Sequence, residues 1–398
     1  MNPGPGATAV LHRGTIVVEG HAHVTNAVLT QGLDPWVAQP TGTIDFARAK
    51  LGGVNVIVEH LFVEDRYNDY NYAVKQACRL IETFYAVLEA NPERMGLART
   101  SAEAREIVAD GRLAIILALE GGFDTEGDLD VLRLFHRLGV RMVQLTSHDT
   151  TNSLIDAYAG ERRWGGLSDQ GRAVIREMNR LGVVIDISHA TDEAKAQAIE
   201  ASGAPVVTSH NGLRHFAQVI GNLDDDLLTS LAARGGLVGL HSAGWIISQE
   251  AADWNERTAA RRRTPGAPEP APRTRPPEVD YGEYVGSLDA QMRARWTDTW
   301  GYGTPWRQRH DEAVAAGAPL PTVQDWAEQV AWVVRLVGPD HVGLGLDLMA
   351  GGNWLRDFDA ASYPRLTEAL AGTGVADDTI VKVLGENWFR IFDAAGVP

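Results

Sequence analysis

The chain has 398 residues, 44% of them hydrophobic, which is enough to bury a large core and excludes intrinsic disorder and disulfide-stapled mini-domains. Thirty-six basic against 52 acidic side chains leave a formal charge of −16, which argues against an electrostatic grip on nucleic acid or anionic membrane. The single cysteine, Cys78, cannot form an intramolecular disulfide; it asks for no oxidising compartment and is expected to be a small core residue. Residues 1–14 lack the apolar run of a secretory signal and no stretch reaches membrane-span length, so a cytoplasmic protein acting on a small molecule is expected.

In chain order, short aliphatic or β-branched runs at Thr15–Gly20, Val54–Val58, Leu113–Leu119, Val140–Leu145, Val183–Ile187, Pro205–Thr208, Leu237–Leu240 and His341–Leu346 predict eight strands. Helical spacing fills most of the gaps: Tyr72–Leu88, Leu129–Leu138, Asp169–Leu181 with Val174, Ile175, Met178 and Leu181 on one face, and Asp225–Ala233. Ser168 reads as the N-cap of the third of these and Gly182 as the glycine just past its end, with Gly139 and Gly236 punctuating similarly. Strand and helix alternating eight times predict an α/β fold, a (β/α)8 TIM-type barrel spanning residues 1–398, although a doubly wound open sheet reads similarly. Residues 246–321, between the seventh and eighth strands, are too long for one connection and read as an insertion. Its Pro- and Arg-rich part, 259–279, is expected to be an exposed, flexible loop. Trp296, Trp300, Tyr302 and Trp306 are unlike a solvated linker, and are expected to pack a small subdomain on the rim rather than a substrate-contacting lid.

Chemistry concentrates at the predicted strand ends. His21 and His23 form His-x-His after the first strand, where a period of two turns both side chains to one side. Glu120 closes the third strand in LALEGG, a costly place for a carboxylate unless something positive meets it. His148, His189 and His210 end the fourth, fifth and sixth strands, and Asp347 ends the eighth. Singly, such a histidine can simply bond a carbonyl and such an aspartate can cap a helix. Together they fall on the rim that a barrel gathers at the C-terminal ends of its strands. His241, ending the seventh strand, is placed to face a substrate, whereas His12, His60, His136, His215, His310 and His341 read as surface or packing residues.

Imidazoles and carboxylates without thiolates suit zinc or a similar divalent ion in a catalytic site. His21, His23, Glu120, His189, His210 and Asp347 are too many ligands for one open tetrahedral ion, but suit two ions sharing a bridging carboxylate. Such a pair lowers the pKa of bound water toward about 7 and polarises a carbonyl, which implies hydrolysis by a metal-activated hydroxide. Asp347 would carry the proton to a leaving amine, and His148 would face the developing oxyanion.

The passages LALEGG (115–122 with its flank), VQLTSHDTTNSL, GGLSDQGRAVIREMNRLGVVIDISHA (165–190), PVVTSH, VGLGLD and GENWFRIF resemble the membrane (renal) dipeptidase family of the amidohydrolase superfamily, from about Thr15 to Phe392. The resemblance implies a homodimer and a binuclear zinc site. His21, Glu120 and Asp347 would be ligands, with Glu120 bridging; His189 and His210 would hold the second metal, and His148 would contact the scissile group. Two departures stand out. The family's His-x-Asp is His21-x-His23 here, replacing an anion by a neutral imidazole. The arginine that in the family holds the substrate carboxylate is replaced by Gly221, with Arg214 or an arginine of the insertion as candidate substitutes. Poor hydrolysis of simple dipeptides is therefore expected, improved by an arginine at 221 if the backbone accepts a side chain there. A dipeptidase-like amide hydrolase is the leading reading. The alternatives are the same metal site acting on an N-acyl or N-formyl amide, a lactam or a lactone, or a non-catalytic metal-binding barrel.

Overall fold

A computed structural model describes residues 5–68, 72–121, 127–259, 278, 280–298, 301–349 and 355–396. Eight parallel strands form the barrel: β1 Val17–Ala22, β2 Val54–Phe62, β3 Leu113–Glu120, β4 Val140–Gln144, β5 Val184–Asp186, β6 Val206–Asn211, β7 Leu237–Leu240 and β8 Val342–Leu344. Each pairs with the next in chain order, and a short strand the sequence did not announce, Met95–Leu97, pairs with β3. The helices Asp169–Leu181 and Asp225–Ala233 lie where their apolar spacing places them. Ser168 Oγ accepts from Gly171 N as an N-cap, and Gly182 takes the left-handed conformation at φ 71°. Gly139 is left-handed too, but in the later turn the positive φ belongs to Gly235 rather than Gly236.

Alternate residues of the strands explain what faces inward. Val56 and Val58, Ala114, Ile116 and Ala118, Met142, Val184 and Val207 form one apolar cluster with Trp388, Phe389 and Phe392 of the C-terminal helix Asn387–Ala394. Continuing the period of two along the same strands sets His60, Glu120, Gln144 and Asp186 on that inner side, above the apolar layer. Large outward residues such as Ile57, Leu117 and Ile185 join the main core beneath the helices. Thus each strand supplies its own hydrophobic floor and then, near its C-terminal end, a polar group.

The seam between β1 and β8 is closed by a side chain. Ala22 bridges Leu348, and Glu19 Oε1 accepts from His21 N and Leu346 N, both at 2.9 Å, while Oε2 accepts from Tyr363 Oη at 2.5 Å. Burial pushes the Glu19 carboxyl up to about 7, against those hydrogen bonds. Trp388 Nε1 donates to Leu344 O across the same seam, where Gly20 leaves room for the indole: a Cβ on Gly20 would lie 2.0 Å from the ring.

Between β7 and β8, helix Tyr281–Asp298 docks on the loop after β2. Arg295 Nη1 meets Glu64 Oε2 at 2.6 Å, and Asp289 accepts from Tyr67 Oη and Arg79 Nη1. Trp296, Tyr302 and Trp306 are buried, and the first two pack with Phe62 and Met349 beside the barrel mouth. Trp300 and most of 259–279 lie outside the described residues. Cys78 is exposed, contrary to expectation. On helix Ala73–Ala90 the buried stripe runs through Ala73, Gln76, Ala77, Leu80, Ile81 and Phe84, and residue 78 falls on the outer face. No helix among the described residues is long and apolar enough to cross a membrane.

Candidate active site

Among the described residues, four non-glycine residues have positive φ, and three of them follow barrel strands: His148 (53°), His189 (61°) and Asp347 (52°). Left-handed backbone costs a side-chain-bearing residue about 1–3 kcal/mol and persists only where the surroundings hold it. Here it turns the chain three or four residues past β4, β5 and β8, and all three side chains line the cavity at the barrel mouth. His21 lies within β1, and His23 follows it where helix Val24–Gln31 begins.

These residues converge. His21 Nε2 lies 3.2 Å from Glu120 Oε2 and 3.0 Å from His23 Nε2, and His23 Nε2 lies 3.1 Å from Asp347 Oδ1. On the other side of Glu120, His189 Nε2 is 3.7 Å from Oε1 and 2.7 Å from His210 Nε2. Two of the clusters able to hold a metal, His21–His23–Glu120 and Glu120–His148–His189, share Glu120.

The remaining ring nitrogens decide what converges. His23 Nδ1 donates to His60 O at 2.8 Å, and His189 Nδ1 to Asp149 Oδ1 at 2.9 Å. Ser209 Oγ gives its one proton to Asp186 Oδ2, so it can only accept from His21 Nδ1 and His210 Nδ1, each at 2.9 Å. All four imidazoles, when neutral, therefore turn an Nε2 lone pair toward the centre. Nitrogens 2.7 and 3.0 Å apart need a proton or a metal cation between them, and Nδ1–H tied to an acceptor is the usual setting of a metal-bound histidine. Glu120 Oε2 and Asp347 Oδ1 are buried there with no aligned hydrogen-bond donor. The donor set fits a divalent metal.

Charge follows the geometry. Burial and the neighbouring imidazoles hold His21 and His210 well below the usual histidine range. Burial raises the Glu120 carboxyl, with His23 and His189 opposing. Asp347 is buried too, but His23 and His241 outweigh burial and keep it well below the usual carboxylate range. For His148, burial lowers the value, yet the nearby carboxylates of Asp65, Asp149 and Glu120 win and lift it to about 9.

His241 lines the cavity and also holds Asp347. Its Nδ1 accepts from Ser242 N and Ala243 N, leaving the proton on Nε2, 3.3 Å from Asp347 Oδ2. Arg214 does not reach the cavity, which corrects its reading as a substrate anchor: Asp192 at 2.6 Å and Asp224 at 3.3 Å hold it outside. Gly221 lines the cavity with φ 94°, and a Cβ there would lie 2.9 Å from the Tyr158 ring, so the position cannot take an arginine without strain.

Several residues went unseen. His60 is indeed packed, but against His21, its ring stacked at 3.7 Å. Asp149, Tyr158, Asp186 and Ser209 support the histidines, and Asp65 faces His148 at 3.9 Å. Asp149 and Ser209 directly adjoin His148 and His210, a signal that could have found them. Nothing local marks Tyr158 or Asp65.

The sequence profile of the membrane dipeptidase family (Peptidase family M19) matches residues 7–396. Dipeptidase tcpJ of Claviceps purpurea is 25% identical over 87% of this chain and 69% of its own length, and Dipeptidase 3 of Rattus norvegicus is 37% identical over 42% and 34%. The fold is shared with the probable dipeptidase PvdM from Pseudomonas aeruginosa (TM-score 0.75, 21% identity, 98% of each chain). It is shared also with a metallo peptidase from Rhodobacter sphaeroides liganded with a phosphinate mimic of L-Ala-D-Ala (TM-score 0.70, 20% identity, 96% of this chain and 99% of that one). With nearly its whole length matched, the chain belongs to the membrane dipeptidase family, Peptidase family M19, and is a metal-dependent hydrolase.

Proposed function

We propose that the protein hydrolyses the amide bond of dipeptides with two zinc ions, one held by His21, His23, Glu120 and Asp347 and the other by Glu120, His189 and His210. The observation that carries this reading is the set of four Nε2 lone pairs, each fixed by a tied Nδ1, aimed at the unpartnered oxygens of Glu120 and Asp347. Divalent ions there supply Lewis acidity, which lowers the pKa of water toward about 7 and polarises a carbonyl.

The protein groups do the rest. Asp347 accepts the proton of the attacking water and delivers it to the leaving amine, while His241 Nε2–H keeps the carboxylate aimed. His148, cationic beside Asp65 and Asp149, donates to the oxyanion as it forms. Phe62 packs on His148, their ring centroids 5.2 Å apart. A homodimer and a cytoplasmic location complete the reading; light scattering and fractionation test them.

The test of function is metal content together with turnover. Two equivalents of zinc and chelator-sensitive dipeptide hydrolysis are expected, with less metal in Glu120→Gln. For Asp347→Asn, kcat should fall by about 10²–10⁴-fold. One equivalent or less, or turnover indifferent to chelation, would refute the two-ion reading.

A further inference from the structure

A cavity of about 240 Å³ opens onto the candidate ligands, and its lining mixes polar and apolar side chains. His148 and Asp149 are among the polar ones. Val219, Ile220, Trp245 and Ile246, on two segments joined by the hydrogen bond from Asn222 to Ile246 O, form an apolar wall. Trp245 and Ile246 follow closely on His241, which holds Asp347. If Asp347 delivers the proton to the leaving amine, the leaving residue lies against this wall.

The wall is built, not incidental. Gly221, at φ 94°, turns its carbonyl inward, where Lys195 Nζ donates at 2.6 Å and Asn211 Nδ2 at 2.7 Å. Asn222 Nδ2 donates to Ile246 O at 2.8 Å and Ala217 O at 3.0 Å, tying the 219–222 turn to the segment carrying Trp245. The Gly221 carbonyl and the Asn222 amide are thus bound away from the cavity, and Val219 and Ile220 bring aliphatic side chains to its lining. Ile220 is nonetheless 63% exposed, a large apolar side chain left at a cavity lip. Lys195 is fully buried, an expensive place for an ammonium unless its bond to Gly221 matters. Neither Lys195 nor Arg214 lines the cavity: Lys195 is spent on the turn and Arg214 on Asp192 and Asp224.

We infer that the Val219–Ile220 turn, with Trp245 and Ile246, is a subsite for the leaving residue that selects dipeptides with a bulky apolar second side chain, and that Lys195 is the positioning residue of this wall. The inference rests on the dipeptidase reading above. Covering such a side chain favours it over glycine by at least about tenfold.

Steady-state kinetics of the zinc-loaded full chain on L-Ala-Gly, L-Ala-L-Leu and L-Ala-L-Phe test it. The wild type should show kcat/KM at least tenfold higher for Leu and Phe than for Gly. Ile220→Asp, a change on an exposed side chain that should fold, is expected to reduce that ratio below threefold at unchanged zinc content. Lys195→Met should raise KM for L-Ala-L-Phe more than it lowers kcat, and Lys195→Arg should recover part of the loss. Equal efficiency on all three substrates, or an unmoved ratio in Ile220→Asp, would overturn the subsite while leaving dipeptide hydrolysis intact. No hydrolysis of any of the three by zinc-loaded protein would instead remove the dipeptidase reading, and the subsite with it.

Discussion

Ser209 shows how much can depend on one hydroxyl. Its oxygen accepts from His21 and from His210, one ligand of each proposed metal, and its proton goes to Asp186, whose other oxygen is held by Ser188. Removing it would free both imidazoles to rotate and would unsettle which nitrogen carries the proton. Ser209→Ala is therefore expected to weaken zinc binding by about 10–100-fold while circular dichroism stays unchanged. Competition with a chromophoric chelator measures this. Affinity within twofold of wild type would mean that Asp186 and the backbone orient the histidines without the hydroxyl.

At the scale of the element, Gly221 corrects an expectation. An arginine there was expected to improve dipeptide hydrolysis provided the backbone accepts a side chain, but positive φ and the Tyr158 ring deny that condition. Gly221→Arg should instead destabilise the protein by about 1–3 kcal/mol, read from denaturant midpoints, and lower kcat/KM. A rise in dipeptide activity would show that the turn relaxes away from Tyr158. Helix pairing offers a second case. Glu177, on helix Asp169–Leu181, takes Arg133 at 2.6 Å from helix Leu129–Arg137 and Arg180 from its own last turn. The two guanidinium groups hold its carboxyl down to about 2, below the ordinary value of 4.5. A depressed carboxyl contributes stability that is complete above 4.5 and disappears as pH falls toward 2. Glu177→Gln should thus be less stable than wild type at pH 7, with the gap closing across that window in pH-resolved thermal melts. A constant gap would assign the effect to packing.

For the whole molecule, the mouth of the barrel is a cluster of buried acids and imidazoles, and the proposed metals would bind only the folded chain. Chelation should therefore lower the melting temperature and make it dependent on zinc concentration, because ligand binding adds RT ln(1 + [L]/Kd), about 2.7 kcal/mol at a hundredfold excess over Kd. Differential scanning calorimetry with and without chelator checks this. A melting temperature indifferent to chelation would mean that the acids and imidazoles satisfy one another without metal. The opposite end resists for a different reason: Trp388, Phe389 and Phe392 plug the apolar floor, and Glu19 and Tyr363 stitch the first strand to the last.

The barrel and its candidate ligands were legible in the amino-acid sequence because both are local. A strand announces itself by a run of apolar residues, and a group placed just after that run arrives on the C-terminal rim whatever the rest of the chain does; His21, Glu120, His148, His189, His210 and Asp347 all follow this rule. Partners distant along the chain obey no such rule. Ser209 meets His21 across 188 positions, Tyr363 meets Glu19 across 344, and no spacing in the sequence connects them. Arg214 looked available four residues after His210, and only the fold brings Asp192 and Asp224 close enough to hold it. Gly221 could be seen to lack an anchor, but its positive φ, the ring of Tyr158 and the buried Lys195 beneath it belong to the packing of separate elements, which tertiary structure alone decides.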